Sequence, residues 1–298
     1  MSNPSIKRET RREPKTGRWG QERRLEFIDY RLSWDRRLNR AELVDYFGIS
    51  IQQASLDISR YAELAPNNLE YDKSEKVYRA TDHFKPTLTQ QNAQSYLDQL
   101  LAVALGTMPV SGTFLGWMPP TDIVKFPVRS IHADTLTDIN QAIRYRQDIE
   151  LEYQSMRLPD STRRWIAPHA IAFDGARWHV RAWCYSREEF RDFVFSRIQN
   201  IYQSRPSQLT NTSDPRWESY STVVLTPKKG LTESQRRAVE IDFGMSNGEL
   251  RVSMRQALVF YFVRQLHLMG DRESQDRQPI EWANKDELAW LIDEARKN

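Results

Sequence analysis

Cysteine is almost absent from this 298-residue sequence: Cys184 is its single thiol. That excludes an intrachain disulfide framework and any structural zinc site made only of cysteines within one chain. Long apolar runs are also missing. The best stretches, 100–105 and 257–263, fall far short of the roughly 18 residues a membrane span needs. The charged N-terminus has no apolar region behind it, so it lacks the form of a secretory signal, and a cytoplasmic protein is expected. Charge of one sign is scarce as well, since 43 Lys+Arg against 40 Asp+Glu leave a net +3.

The usual marks of catalysis are missing too. There is no P-loop, dinucleotide glycine fingerprint, His-Glu-x-x-His helix or nucleophile elbow. His169 and His179 lie ten apart with no paired carboxylates at metal-ligand spacing, so neither metal nor cofactor is expected. Cys184, following Trp183 on an apolar strand, reads as a packed thiol. A nucleic-acid-processing hydrolase with an unrecognised carboxylate site stays open as the alternative, because such sites are invisible without the fold. What the chain does have is 39% hydrophobic and 11% aromatic residues. That is too apolar for disorder and long enough for two or three domains.

Charge is unevenly placed. The first 24 residues hold eight Lys/Arg against three Glu, and residues 1–17 form a basic arm of the kind that attracts phosphate backbones. From Arg18 to about residue 32, Trp19, Leu25, Phe27, Ile28 and Leu32 recur at helical period. Asn39 with Glu42 forms a capping box for a second helix to about Phe47, with Gly48 after its end. Ser50 with Gln53 is predicted to form another, opening a third helix to about residue 64.

At 100° per residue, Ala54, Ile58, Tyr61 and Ala65 share a core face, while Gln52, Leu56 and Ser59 point the other way. Gln53, Ser55 and Arg60 flank that outer face. Taken by itself, such a face could be ordinary solvated surface. It also suits base edges in a major groove, since Gln can pair with adenine and Arg with guanine or phosphate. The next segment favours DNA: strand-like 69–71 and 77–78 flank the charged turn 72–76. That is a wing hairpin with Lys73 and Lys76 at its tip. Residues 18–84 are therefore expected to be a winged helix-turn-helix. Its DNA-binding set would be Arg18, Arg40, Ser50, Gln52, Gln53, Ser55, Leu56, Arg60, Lys73 and Lys76.

Residues 85–130 read as a linker, with a helix capped by Thr89 running to about residue 105. That helix bridges domains, pairs with its copy in a dimer, or packs as a core helix. A Pro- and Gly-rich stretch follows at 106–120. After a helix at 134–146 the period changes to two, and strands are expected at 149–153, 164–173, 178–185 and 190–195. Short strands with polar turns indicate a small antiparallel barrel or sandwich. Arg177, His179 and Arg181 share one strand face opposite Trp178, Val180 and Ala182. A strand face of Arg and His would hold an anionic ligand or single-stranded nucleic acid, or else pair with Asp174, Glu188, Glu189 and Asp192.

The stretches 177–184 and 190–198 resemble the core of WYL domains, in which a Trp-Tyr-Leu strand precedes one ending in Arg-Ile. Tyr153-Gln154-Ser155 and Pro168-His169 match further family positions. With the winged helix ahead, the chain is most similar to the WYL repressors of bacterial phage-defence operons of the BREX and CBASS types. Asn39-Arg40, Gln53-Ala54-Ser55 and Ala65-Pro66-Asn67-Asn68-Leu69 carry that likeness. His179 stands where the family has the Tyr of its naming triplet, which would alter ligand preference.

The resemblance implies an α+β multidomain homodimer. Its parts would be a winged helix-turn-helix, a small Sm/SH3-like β-barrel (the WYL domain, residues 131–205) and a small α+β C-terminal domain (206–298) for dimer contact or cleft closure. It implies a repressor on a palindromic double-stranded DNA operator, released by a nucleic-acid fragment or nucleotide, in the cytoplasm and associated with the nucleoid. The effector site carried over is Tyr153, Ser155, Arg164, His169, His179, Arg181, Arg191 and Arg197.

Overall fold

The computed structural model describes residues 15–125, 127, 129–209, 214–269 and 278–297, without side chains at 15–19 and 294–297. Most of the basic arm therefore lies outside the described residues, as does the Arg18 side chain. The chain forms two compact units, 1–127 and 128–298.

In the first unit, α1 (Lys15–Trp34), β1 (Arg37–Leu38), α2 (Arg40–Phe47) and α3 (Ile51–Leu64) precede a hairpin of β2 (Leu69–Asp72) and β3 (Val77–Ala80). The three strands form one antiparallel sheet in the order β1-β3-β2. The α2 capping box is present, with Asn39 and Glu42 as partners, and Gly48 closes the helix at φ +63°. That left-handed turn favours glycine. Ser50 accepts the Gln53 N–H as expected, but the box at α3 is only half made. The Gln53 side chain turns instead to Asp57, 3.1 Å away. Strand β1 was not expected; two residues carry no period, and its place is set by pairing with Arg79 and Tyr78.

The core is built from the apolar stripe of each helix: Phe27, Ile28 and Leu32 from α1, Leu43 from α2, and Ala54, Ile58 and Tyr61 from α3. Residues beyond 84 join it rather than merely linking. Phe114 is buried there, its ring 5.3 Å from Phe27 and 5.6 Å from Tyr46. Thr89 does not cap the following helix, α4 (Ala93–Ala104); Asn92 does, through the Ser95 N–H.

Thr89 serves another carboxylate. Asp29, fully buried on α1, accepts the Thr89 N–H and hydroxyl at 2.8 Å each. It also takes the N–H groups of Thr87 and Leu88 and the Tyr61 hydroxyl at 2.5 Å. A buried carboxylate needs this many donors to offset its lost hydration. The same contacts tie the exit of the winged helix to α1 and α3.

In the second unit, α5 (Ala133–Tyr145) covers a five-stranded antiparallel sheet. Its strands are β4 (Gln147–Tyr153), β5 (Thr162–Phe173), β6 (Trp178–Cys184), β7 (Glu189–Val194) and β8 (Ile198–Pro206), in the order β7-β6-β5-β4-β8. Its core holds Ile149, Leu151, Ile166, Val180, Ala182 and Phe193. Strand β8 was not expected, because its mostly exposed residues show no alternation.

After the short α6 (Pro215–Glu218) come β9 (Tyr220–Pro227), α7 (Glu233–Asp242), β10 (Leu250–Arg255), α8 (Gln256–Gln265), β11 (Ile280–Trp282) and α9 (Lys285–Lys297). The strand order is β10-β9-β11, packed on a core that includes Val223, Leu225, Val259 and Val263. Thr232 and Gln235 form a capping box at the start of α7. Ile241 lies in the last turn of that helix. The Asn284 side chain accepts the Val224 N–H and the Trp282 indole N–H and donates to the Thr222 carbonyl, holding β9 to β11.

A recognition helix and an arginine-lined cavity

On α3 the burial follows the expected phase: Ala54, Ile58 and Tyr61 face inward, and Ala65 is buried just beyond the helix. Asp57 joins them. Phase alone puts it on the same side, yet as an acidic residue it was passed over. Arg24 of α1 reaches it at 2.6 Å, and Gln53 completes the group. Ser50, Gln52, Leu56 and Arg60 are exposed, while Gln53 and Ser55 are half-buried. Arg60 pairs with Glu63 at 2.8 Å, and the Ser55 hydroxyl donates to the Ile51 carbonyl.

Arg40 is half-buried and reaches the Tyr78 hydroxyl on the wing strand at 3.4 Å. The wing turn is organised by Asp72. Hydrogen bonds from Ser74, Glu75 and Arg79 hold its carboxyl well below the usual range. Arg79 is thereby spent on Asp72 and Glu75, whereas Lys73 and Lys76 are exposed and make no ion pair among the described residues. The hairpin thus offers two lysines outward while its arginine is internally neutralised.

In the second unit, a cavity of about 360 Å³ is bounded by the sheet on one side and by α6 and α8 on the other. Tyr153, Ser155, Arg164, His179, Arg181, Arg191 and Arg197 line it, so seven of the eight residues expected from sequence converge there. His169 does not: it lies 3.3 Å from Asp214, between the rings of Phe190 and Trp217. Arg157, Arg177, Arg216 and Arg264 complete the ring of arginines, against Asp192 as the lining carboxylate. Arg216 and Arg264 come from the C-terminal part, and nothing local in the sequence announces them; only the packing of α6 and α8 brings them in.

The Arg/His face of β6 is not an open one. His179 and Arg181 are as buried as Val180 and Ala182 opposite them. Burial of a charge requires partners, and the strand has them. His179 Nε2 lies 2.9 Å from Asp174, which also accepts from Arg177. Arg181 donates to Asp214 at 2.6 Å and to Asp192 at 3.3 Å.

Burial works to raise the Asp174 carboxyl, but hydrogen bonds from His179 and from backbone N–H groups win and hold it at about 2. The same contest, with His169 and Arg181 as donors, keeps Asp214 well below the usual range. Tyr261 of α8 donates to Asp192 at 2.8 Å and packs on His179. Burial and that carboxylate push its phenol strongly up.

The pairing expected as an alternative is thus real for Arg177, His179 and Arg181. Arg177 and His179 pair with Asp174, and Arg181 with Asp192 and with Asp214, which the sequence reading did not consider. Asp214 also caps α6 through the Arg216 and Trp217 N–H groups.

Positive charge still dominates the cavity. Arg164 Nε is buried and makes no hydrogen bond among the described residues, while its Nη2 donates to the Thr162 hydroxyl and the guanidinium lies over the Tyr153 ring. Burial and the like charge of Arg181 pull the Arg216 guanidinium down, the sign of cations crowded together. Such a site suits an anion with several oxygens.

Three family descriptions cover the chain in order. Residues 20–102 match the BrxR transcriptional regulator winged helix-turn-helix domain, 134–203 the WYL domain, and 220–288 the BrxR transcriptional regulator C-terminal dimerization domain. Among curated relatives, the DNA-binding transcriptional repressor CapW of Pseudomonas aeruginosa is 45% identical over 98% of both chains. That of Escherichia coli (strain KTE188) is 43% identical over 92% of this chain and 93% of its own. Among solved structures, the proteasome accessory factor B/C of Arthrobacter aurescens matches 97% of this chain and 52% of that one. It does so at 16% identity with a TM-score of 0.26, too low to bear on the fold.

The relatives are named as repressors and not as enzymes, in agreement with the non-enzymatic reading of the sequence. With a BrxR-type winged helix, a WYL domain and a BrxR-type C-terminal domain in that order, and with such identity over nearly its whole length, the chain belongs to the CapW family of DNA-binding transcriptional repressors.

Proposed function

We propose that this chain is a homodimeric, sequence-specific DNA-binding repressor, relieved when an anionic effector enters the arginine-lined cavity. The observation that carries the repressor reading is 43–45% identity to named repressors over 92–98% of the chain. The two winged helices of a dimer would address half-sites of an inverted repeat. Gln52, Leu56, Gln53, Ser55 and Arg60 would lie at the groove, with Arg18, Arg40, Ser50, Lys73 and Lys76 on the phosphates. The C-terminal part, similar to a dimerization domain, would supply the self-contact. Control of a phage-defence operon that includes its own gene follows from the family resemblance, as does a cytoplasmic, nucleoid-associated location. Among the described residues no helix is long and apolar enough to cross a membrane.

For the effector, the cavity's eight arginines support a nucleic-acid fragment or a nucleotide. Their guanidiniums match phosphate oxygens in pairs. The five-stranded sheet would work as a small Sm/SH3-like barrel; the register shift between Pro168 and Ala170 and two more in the β4–β8 ladder add the twist that such closure needs. Binding must favour one state of the dimer over another, because equal affinity for both shifts nothing.

A gel shift on the DNA upstream of its gene, titrated with short single-stranded DNA, tests the whole reading. One saturable palindrome released by the oligonucleotide is the expected result. Binding without release would move the effector to other anions, and no binding would remove the repressor reading. Arg191→Ala is expected to leave operator binding unchanged and to abolish release; normal release would place the effector elsewhere.

A further inference from the structure

We infer that Leu56 reads the methyl group of a thymine, beside Gln52 reading an adenine, so that each operator half-site carries A·T pairs under the N-terminal half of α3. The inference rests on the DNA-binding reading and assigns its base specificity.

Most polar side chains of α3 that could address bases are already engaged. Gln53 is held by Asp57, which Arg24 also grips. The Ser55 hydroxyl is bonded to the Ile51 carbonyl, and Arg60 is paired with Glu63. Gln52 and Leu56 remain in the outward direction, opposite Ala54, Ile58 and Tyr61.

Leu56 is 64% exposed. It is the large apolar side chain in the middle of a face otherwise made of Gln52, Ser59 and Glu63. In the major groove the one apolar group that a base pair presents is the C5-methyl of thymine. An exposed leucine at the centre of a recognition face therefore has a single chemical match there. Ile51, 60% exposed at the first helical position, widens the apolar surface toward the N-terminal rim.

Spacing fits as well. Gln52 and Leu56 are four apart, which puts their Cβ atoms about 5–6 Å from each other on one helix face. Base pairs stack about 3.4 Å apart along the duplex, so the two side chains meet neighbouring or next-but-one pairs. Gln supplies both a donor and an acceptor, the pattern that adenine N7 and N6 complete. The acidic Glu63 sits at the far end of α3, which leaves the groove when the N-terminal half enters it. Phosphate attraction would come from Lys73 and Lys76 on the wing, so apolar readout and charge would be carried by separate side chains.

The test uses full-length protein and a duplex selected by it from a random pool. Each thymine of the selected site is replaced singly by deoxyuridine, which removes only the methyl. Wild type is expected to lose about fourfold in affinity at one thymine per half-site, the worth of one buried methyl group. Leu56→Ala is expected to bind more weakly at the parent site but to lose nothing further from that replacement. Its exposed position leaves the fold intact, and its salt dependence should match wild type. Uracil tolerated at every thymine, or an equal loss in Leu56→Ala, would overturn the inference while sparing the DNA-binding reading. Failure to enrich any duplex would overturn both.

Discussion

The outer face of α3 and the Arg/His face of β6 both carry polar side chains opposite a core stripe, and the fold treats them in opposite ways. On α3 the polar face stays at the surface, because a helix against a single core buries one stripe and leaves the other side wet. On β6 both faces are covered. Val180 and Ala182 enter the sheet's own core, while His179 and Arg181 lie under Tyr261 and the segment that begins at Asp214. Side chains on the first surface can meet a partner directly. Charge on the second had to be offset within the chain, by Asp174, Asp192 and Asp214, and an effector there must compete with those carboxylates. Arg164, whose Nε makes no hydrogen bond among the described residues, is the arginine most ready to receive it.

The contrast can be broken by substitution. Arg181→Ala should have the largest effect, about 3–5 kcal/mol of lost stability, because the buried Asp214 and the half-buried Asp192 are left without their arginine. Chemical denaturation followed by tryptophan fluorescence would measure it; a change below about 1 kcal/mol would mean water reaches this site freely. Asp29→Asn should come next, at about 2 kcal/mol. One amide oxygen must then serve donors that two charged oxygens had shared, and an NH2 faces N–H groups. Loss confined to the first unit would be expected, seen as earlier melting of amide protection in α1 and α3. Uniform loss across both units would contradict it.

Acid separates the two regions further. The Asp174 carboxyl stands at about 2 in the folded chain, below its ordinary 3.8, and Asp214 is also lowered. Groups depressed on folding stabilise fully above the unfolded value and lose that contribution as pH falls through the folded one. The second unit should therefore weaken between about pH 4 and pH 2, and Asp174→Asn should flatten the slope in that window. An acid transition unchanged by the substitution would argue against the His179 contact as its source.

The smallest effects belong to the wing. Lys73→Ala and Lys76→Ala should each lower the salt slope of operator binding by about 1, weakening all sequences alike. A change in sequence preference would mean the wing reads bases.

How legible each region was follows from the same contrast. The three helices and hairpin of the first unit were readable from period and caps, since Asn39, Glu42, Gly48 and Ser50 signal locally what they do locally. The half-made box at Ser50 was not, because Gln53 turns to Asp57 one turn further along α3, a carboxylate that is buried and gripped by Arg24 only where α1 and α3 meet. Thr89 failed as a cap for a like reason: the buried Asp29, sixty residues earlier, took both its N–H and its hydroxyl. In the cavity, the β-strand arginines and Tyr153 could be named from the resemblance. Arg216 and Arg264 could not, and His169 was drawn away by Asp214.

By itself the sequence determined the local elements, the alternation that put Arg177, His179 and Arg181 on one strand face, and the helical phase that left Gln52 and Leu56 outside. These depend on neighbours within a few residues and on backbone geometry. Tertiary structure decided which charges remain available. That choice depends on carboxylates distant in sequence and on whether a second layer covers the face, and no local pattern encodes either.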